Sequence, residues 1–153
     1  MSQKEHYLTS FAVWLRYVLI GQLSYPVRYY GVSNFLPKFL GRHVLAEFWG
    51  CKRIDDPGHV ERAMVRAAED AGATVLNVNL HHFGEGMGVT GVVMLSESHL
   101  SIHSWPEFHY AAIDVFVCGE ADPHRAIESL KRAFSPSKAE ISEHKRGISY
   151  VDQ

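Results

Sequence analysis

Two cysteines in 153 residues are too few to staple a domain of this size. Cys51 and Cys118 therefore make no disulfide framework, and free thiols fit a reducing compartment, here the cytoplasm. A basic excess is also lacking. Fifteen Lys and Arg stand against seventeen Asp and Glu, a formal net charge of −2, which argues against a nucleic-acid binder. No long apolar run is present either. The most membrane-like stretch, FAVWLRYVLIG from Phe11 to Gly21, is broken by Arg16 and falls short of the roughly 20 residues a span needs. It also lacks the small-residue cleavage site of a signal peptide, so it reads as an amphipathic or partly buried helix. No repeat or low-complexity tract interrupts the chain.

What is present is one domain's worth of alternating patterns. Residues 1–39 are rich in Tyr, Phe and Leu and are broken by Pro26 and Pro37; they read as an N-terminal extension, helix then irregular, that packs on the domain or on a partner subunit. From Gly41 the pattern sharpens. HVLAEFWGC reads as a strand. In the next segment Asp56 can cap, Pro57 suits a first helical position, Gly72 suits the stop, and Val60, Met64, Ala67 and Ala71 form an apolar stripe. ATVLNVNLHHF alternates as a strand, FGEGMGVTG is a glycine-rich loop, and GVVMLSE, SHLSIHSW and YAAIDVFVCG are three more strand-like runs, the last two parted by a turn at Pro106. A second helix, DPHRAIESLKRAF, turns Ile127, Leu130 and Phe134 inward, and a strand or two closes the chain. The order predicts an α+β two-layer sandwich: a mostly antiparallel sheet with two helices on one face. The open face of such a sheet needs a cover, and a second copy of the chain can supply it.

The stretch LSESHLSIHSWPE, Leu95 to Glu107, carries more proton-transfer chemistry than a strand needs. His99 and His103 stand four apart, but on a strand they do not stack as zinc ligands would on a helix. No C-x-x-C pair supports a metal site, and no metal is expected. The G-x-S-x-G elbow of a serine hydrolase is absent. A rarer chemistry fits these residue types. A serine in a strained chain can attack the carbonyl before it and form an ester. A base then removes the serine α-proton, the acyl chain leaves, and a pyruvoyl group remains at a new N-terminus. That ketone is an electron sink comparable to pyridoxal phosphate.

LSESHLSIHSWPEFHYAAIDVFVCG, with LGRHVLAEFWGC, HHF and GVTGVVML upstream, resembles the signature of the bacterial and archaeal S-adenosylmethionine decarboxylases. The likeness is close over Leu40 to Cys118 and looser beyond. It implies self-cleavage between Glu97 and Ser98 into a β chain, 1–97, and an α chain, 98–153, with Ser98 becoming the pyruvoyl cofactor. It implies that His103 is the base of the elimination step and that Thr90, where the family usually has serine, assists processing. Cys118 would protonate the substrate carbon after carbon dioxide leaves. Phe83, Trp105 and Glu107 are candidate substrate-binding residues, Phe83 as the phenylalanine that stacks on adenine. The resemblance further implies residues 40–153 as the decarboxylase domain, a small amino-acid-type substrate, and a homodimer of αβ pairs with sites near the interface. Neither nucleic acid nor membrane is an expected partner.

Strand parity sets a geometric question. Ser98 shares a face with Leu100 and Ile102, whereas His103 shares one with His99 and Ser101, so a bulge or a local break is needed to join them. The loop HHFGEGMGVT also departs from the family pattern: it is one residue longer, lacks a proline and adds Glu85. A carboxylate there could pair with the distal cation of arginine or ornithine, on which some relatives act. Two alternatives therefore accompany the main expectation: the same chemistry on arginine or ornithine, and an uncleaved regulatory subunit.

Overall fold

The structure, a computed structural model, describes residues 39–148. The expected extension, apart from Phe39, lies outside the described residues, as do residues 149–153. The elements run β1 (Gly41–Trp49), α1 (Pro57–Asp70), β2 (Val75–His82), β3 (Val89–Leu95), β4 (Ser98–Trp105), a 3-10 turn (Pro106–Phe108), β5 (Tyr110–Cys118), α2 (Pro123–Phe134) and β6 (Lys138–Arg146). The strands form one sheet in the order β2-β3-β4-β5-β1-β6, antiparallel at every pairing. This is the expected α+β layout. Among the described residues no helix is long and apolar enough to cross a membrane.

Local chemistry sets the helix ends. Asp56 and Asp122 cap α1 and α2 by accepting from the His59 and His124 amides, at 2.9 and 3.0 Å, and each is followed by a proline in the first turn. Such caps contribute about 1 kcal/mol each. Gly72 stops α1 at φ +79°, a left-handed conformation open to glycine.

The predicted stripe is buried: Val60, Met64, Ala67 and Ala71 face the sheet, joined by Ala63 and Ala68. Ile127, Leu130 and Phe134 do the same from α2. They meet Val44, Phe48, Leu100, Ile102, Ile113 and Val115, the alternate residues of the three central strands. Burial of each large aliphatic side chain contributes about 1.5–3 kcal/mol. The other face of those strands carries His43, Glu47, His99, His103, Asp114 and Phe116, all outside the buried core.

One polar tie joins α2 to the sheet. Arg42 forks onto Glu143, Nε to Oε1 at 2.7 Å and Nη2 to Oε2 at 3.2 Å, and His124 Nε2 lies 2.8 Å from Oε2. The hydrogen bonds from Arg42 and then His124 hold the Glu143 carboxyl down to about 2. A carboxyl whose pKa is lowered by folding stabilises fully above its unfolded value of about 4.3 and loses that contribution as pH falls toward the folded value. Glu143→Gln should therefore flatten the loss of thermal stability between about pH 4.5 and 2.5. The site is partly solvated, so the difference should shrink in high salt, a trend acid melts at two ionic strengths will check.

Candidate active site

The β3–β4 hairpin puts only Ser96 and Glu97 between its paired ends, Leu95 and Ser98. Two-residue hairpins normally place glycine or asparagine at left-handed positions in the turn. Here the turn residues are neither, and the positive φ falls on Ser98, at 142°. A side-chain-bearing residue rarely adopts that conformation, which costs on the order of 1–3 kcal/mol. The strained residue directly follows the Glu97–Ser98 peptide bond, and hydrogen bonds hold the turn in place. The Cys118 amide donates to the Glu97 carbonyl oxygen at 3.1 Å. The Glu97 carboxylate accepts from the Thr74 amide at 2.9 Å, and the Ser96 amide donates back to the Thr74 carbonyl at 2.9 Å. A polarised carbonyl, a fixed peptide and a hydroxyl at the next residue are what an acyl shift requires.

Ser98 Oγ lies 3.2 Å from His99 Nδ1. His103 is bound elsewhere: its Nδ1 is 2.7 Å from Thr90 Oγ1, across the directly paired positions of β3 and β4. In the tautomer that donates Nδ1–H to Thr90, Nε2 keeps a lone pair able to take a proton. Register along β4 is regular from Ser98 to Trp105, so no bulge turns Ser98 and His103 toward each other. Five residues of strand separate them by about 17 Å.

The His103 end of β4 opens on a pocket of about 280 Å³. Phe83, Met87, His103, Trp105 and Glu107 line it. Trp105 stacks on Tyr110 with centroids 5.4 Å apart, and Phe83 meets His81 edge-on at 4.8 Å. The wall depends on Gly88, because a Cβ there would fall 1.9 Å from the Ser104 carbonyl oxygen. Glu85 is exposed on the loop and is not part of the pocket wall. The two cysteines differ sharply. Cys51 is buried, and burial pushes its thiol up to about 11, whereas Cys118 is exposed at the end of β5.

The candidates thus fall into two groups. Glu97, Ser98 and Cys118 meet at one end of β4; Thr90, His103, Phe83, Trp105 and Glu107 gather toward the other. Three further residues matter that the sequence reading passed over. His99 touches Ser98, although neighbours on a strand normally point apart. Thr74 fixes the turn through a backbone amide, which leaves no side-chain signature. Ser104, buried, donates to the Ile54 carbonyl at 2.7 Å and accepts from the Val89 amide at 2.8 Å, holding β3 against β4 beneath the pocket.

A family model described as S-adenosylmethionine decarboxylase matches residues 42–147. The chain belongs to the S-adenosylmethionine decarboxylase family. The S-adenosylmethionine decarboxylase proenzyme of Methanococcus maripaludis is 46% identical over 119 residues, covering 76% of this chain and 97% of the relative. That of Thermotoga maritima is 49% identical over 113 residues, covering 72% and 86%. The crystal structure of the adenosylmethionine decarboxylase from Aquifex aeolicus is similar at a TM-score of 0.68 and 34% identity, covering 76% of this chain and 98% of that one. The family match spans both residue groups and the glycine-rich loop between β2 and β3.

Proposed function

We propose that this chain is a cytoplasmic, self-processing S-adenosylmethionine decarboxylase that cuts itself between Glu97 and Ser98 into chains 1–97 and 98–153 and acts as a dimer of αβ pairs. Residues 40–153 form the working domain and 1–39 an extension to it. The observation that carries the reading is the Glu97–Ser98 peptide itself, with φ 142° at Ser98 and the Cys118 amide on the Glu97 carbonyl. Relatives named as proenzymes of this decarboxylase support it. The residues around Ser98 suit the formation of a pyruvoyl group in place. That group would supply a ketone to condense with the substrate amine and accept the electron pair released with carbon dioxide. Beside it, the exposed Cys118 thiol would return a proton to the substrate carbon, and Phe83, Trp105 and Glu107, which lie toward the far end of β4, would hold the nucleoside from the partner copy.

The pocket also bears on the substrate. Its wall is aromatic with a carboxylate at Glu107, which suits a stacked purine and a ribose, while Glu85 points to no cation site within it. Relatives named as S-adenosylmethionine decarboxylase proenzymes favour neither arginine nor ornithine as substrate, nor an uncleaved regulatory role. Release of labelled carbon dioxide from the carboxyl-labelled compounds tests this. S-adenosylmethionine should be the substrate that turns over; release from arginine or ornithine alone would replace the assignment.

The 17 Å gap along β4, about five residues of strand, supports the dimer. A two-fold axis between open sheet faces brings the Ser98 end of one copy to the His103 end of the other. His103 and Thr90 then serve the partner's Ser98. Co-expression of Ser98→Ala with His103→Ala should consequently give cut His103→Ala chains, because each mixed dimer keeps one complete site. No cleavage in the mixture would place the base in the same chain as the nucleophile.

A further inference from the structure

The assignment of His103 to elimination leaves the first step without a base, since Ser98 must lose a proton before any α-proton is removed. We propose that His99 accepts the Ser98 hydroxyl proton in the initial acyl shift, an inference that rests on the self-processing reading. Its Nδ1 lies 3.2 Å from Ser98 Oγ. The positive φ at Ser98 sets how its hydroxyl stands relative to the preceding Glu97 carbonyl, the group it must attack. The ring is held in place: it meets Phe116 edge-on at 5.8 Å and 74°, and His43 at 6.5 Å and 72°. His43 is itself fixed by Arg146 Nη1 at 3.0 Å from its Nδ1. His99 therefore presents one nitrogen to the nucleophile from a fixed position, as a general base must.

The step balances within the chain. The Ser98 Oγ–H bond breaks and its proton passes to His99 Nδ1. Oγ bonds to the Glu97 carbonyl carbon, and the oxygen gains negative charge against the Cys118 amide, 3.1 Å away. Collapse then breaks the Glu97–Ser98 C–N bond, and His99 gives its proton to the departing Ser98 nitrogen. The product is an ester with the same atoms as the amide, and nothing else is consumed. Removal of the Ser98 α-proton is a separate event with its own histidine, His103. Two histidines thus divide two proton transfers, His99 from its own chain and His103 from the partner copy.

Cell-free synthesis of the full chain, sampled over time under denaturing conditions with and without hydroxylamine, separates the two steps, because hydroxylamine cleaves the ester and not the amide. The His99→Asn chain should cut at least about 100-fold more slowly than wild type and should resist hydroxylamine. The His103→Ala chain should also stay uncut but be split by hydroxylamine after Glu97. Asparagine keeps an acceptor near the Nδ1 position yet cannot hold a proton, so a wild-type rate in His99→Asn would reduce His99 to an orienting contact and overturn the proposal. A hydroxylamine-sensitive His99→Asn would overturn it too, by placing His99 after the ester. His99→Gln should repeat the block, and imidazole should restore cleavage to His99→Gly, which excludes misfolding as the cause; failure of both would sink the assignment. A wild-type chain that never cuts removes self-processing altogether and this step with it. A wild type that cuts beside an unimpaired His99→Asn removes only His99.

Discussion

Ser98→Ala will remain one uncut chain of 153 residues and will release no carbon dioxide. The methyl group cannot attack the Glu97 carbonyl, and no β-oxygen remains to leave in the elimination. The loss should be complete rather than partial, because the nucleophile and the precursor of the electron sink are the same residue. The local strain should persist: alanine at φ 142° meets the same backbone conflict, and the Cys118 and Thr74 amides still hold the turn. Its melting temperature should therefore lie close to that of an unprocessed wild-type chain. Intact mass under denaturing conditions is the readout. Wild type should give 1–97 and 98–153, the second lighter by one ammonia than a fragment beginning with serine. A cut, active Ser98→Ala would place the chemistry on another residue.

The same residues show how far a sequence can be read. The hydrophobic periods place the helices and strands because each element buries one face, and that face must be apolar whatever the neighbours are. Asp56-Pro57 and Asp122-Pro123 mark helix starts because the first turn has free amides to satisfy. The parity argument on β4 also stands: the register is regular, and His103 faces away from Leu100 and Ile102. What parity could not supply is a dihedral. A serine with φ 142° has no letter of its own, and neither has the rotamer that puts its Oγ 3.2 Å from His99 Nδ1. Pairing of the Cys118 amide with Glu97 lies one residue beyond the last β4–β5 partners, Ser98 and Val117, so it follows from a register fixed by the turn at Pro106–Phe108. Backbone donors of this kind carry no residue preference. Thr90 and His103 were reached one by one through the family resemblance and not as a pair; the Cys118 and Thr74 amides at Glu97, which have no side-chain signature, were not reached at all.

That distinction governs the effect of Cys118→Ala. The residue has two separable roles, one on each side of its Cα. Its amide donates to the Glu97 carbonyl, and any residue other than proline keeps that amide. Its thiol is exposed and free to face the substrate, unlike the buried thiol of Cys51. Cys118→Ala should accordingly cut between Glu97 and Ser98 at near the wild-type rate. Turnover should fall by about 100-fold to 10,000-fold, the range expected when a positioned acid is removed. The surviving turnover should show faulty protonation, with the proton delivered to the electron sink instead of the substrate carbon and the cofactor lost over successive cycles. Intact mass reports the first role, and the rate of labelled carbon dioxide release with repeated mass measurement reports the second. An uncut Cys118→Ala would mean that the thiol itself polarises the scissile carbonyl. Full turnover would assign the acid to another group at the Ser98 end of the sheet, and His99, already against the nucleophile, would be the first to substitute.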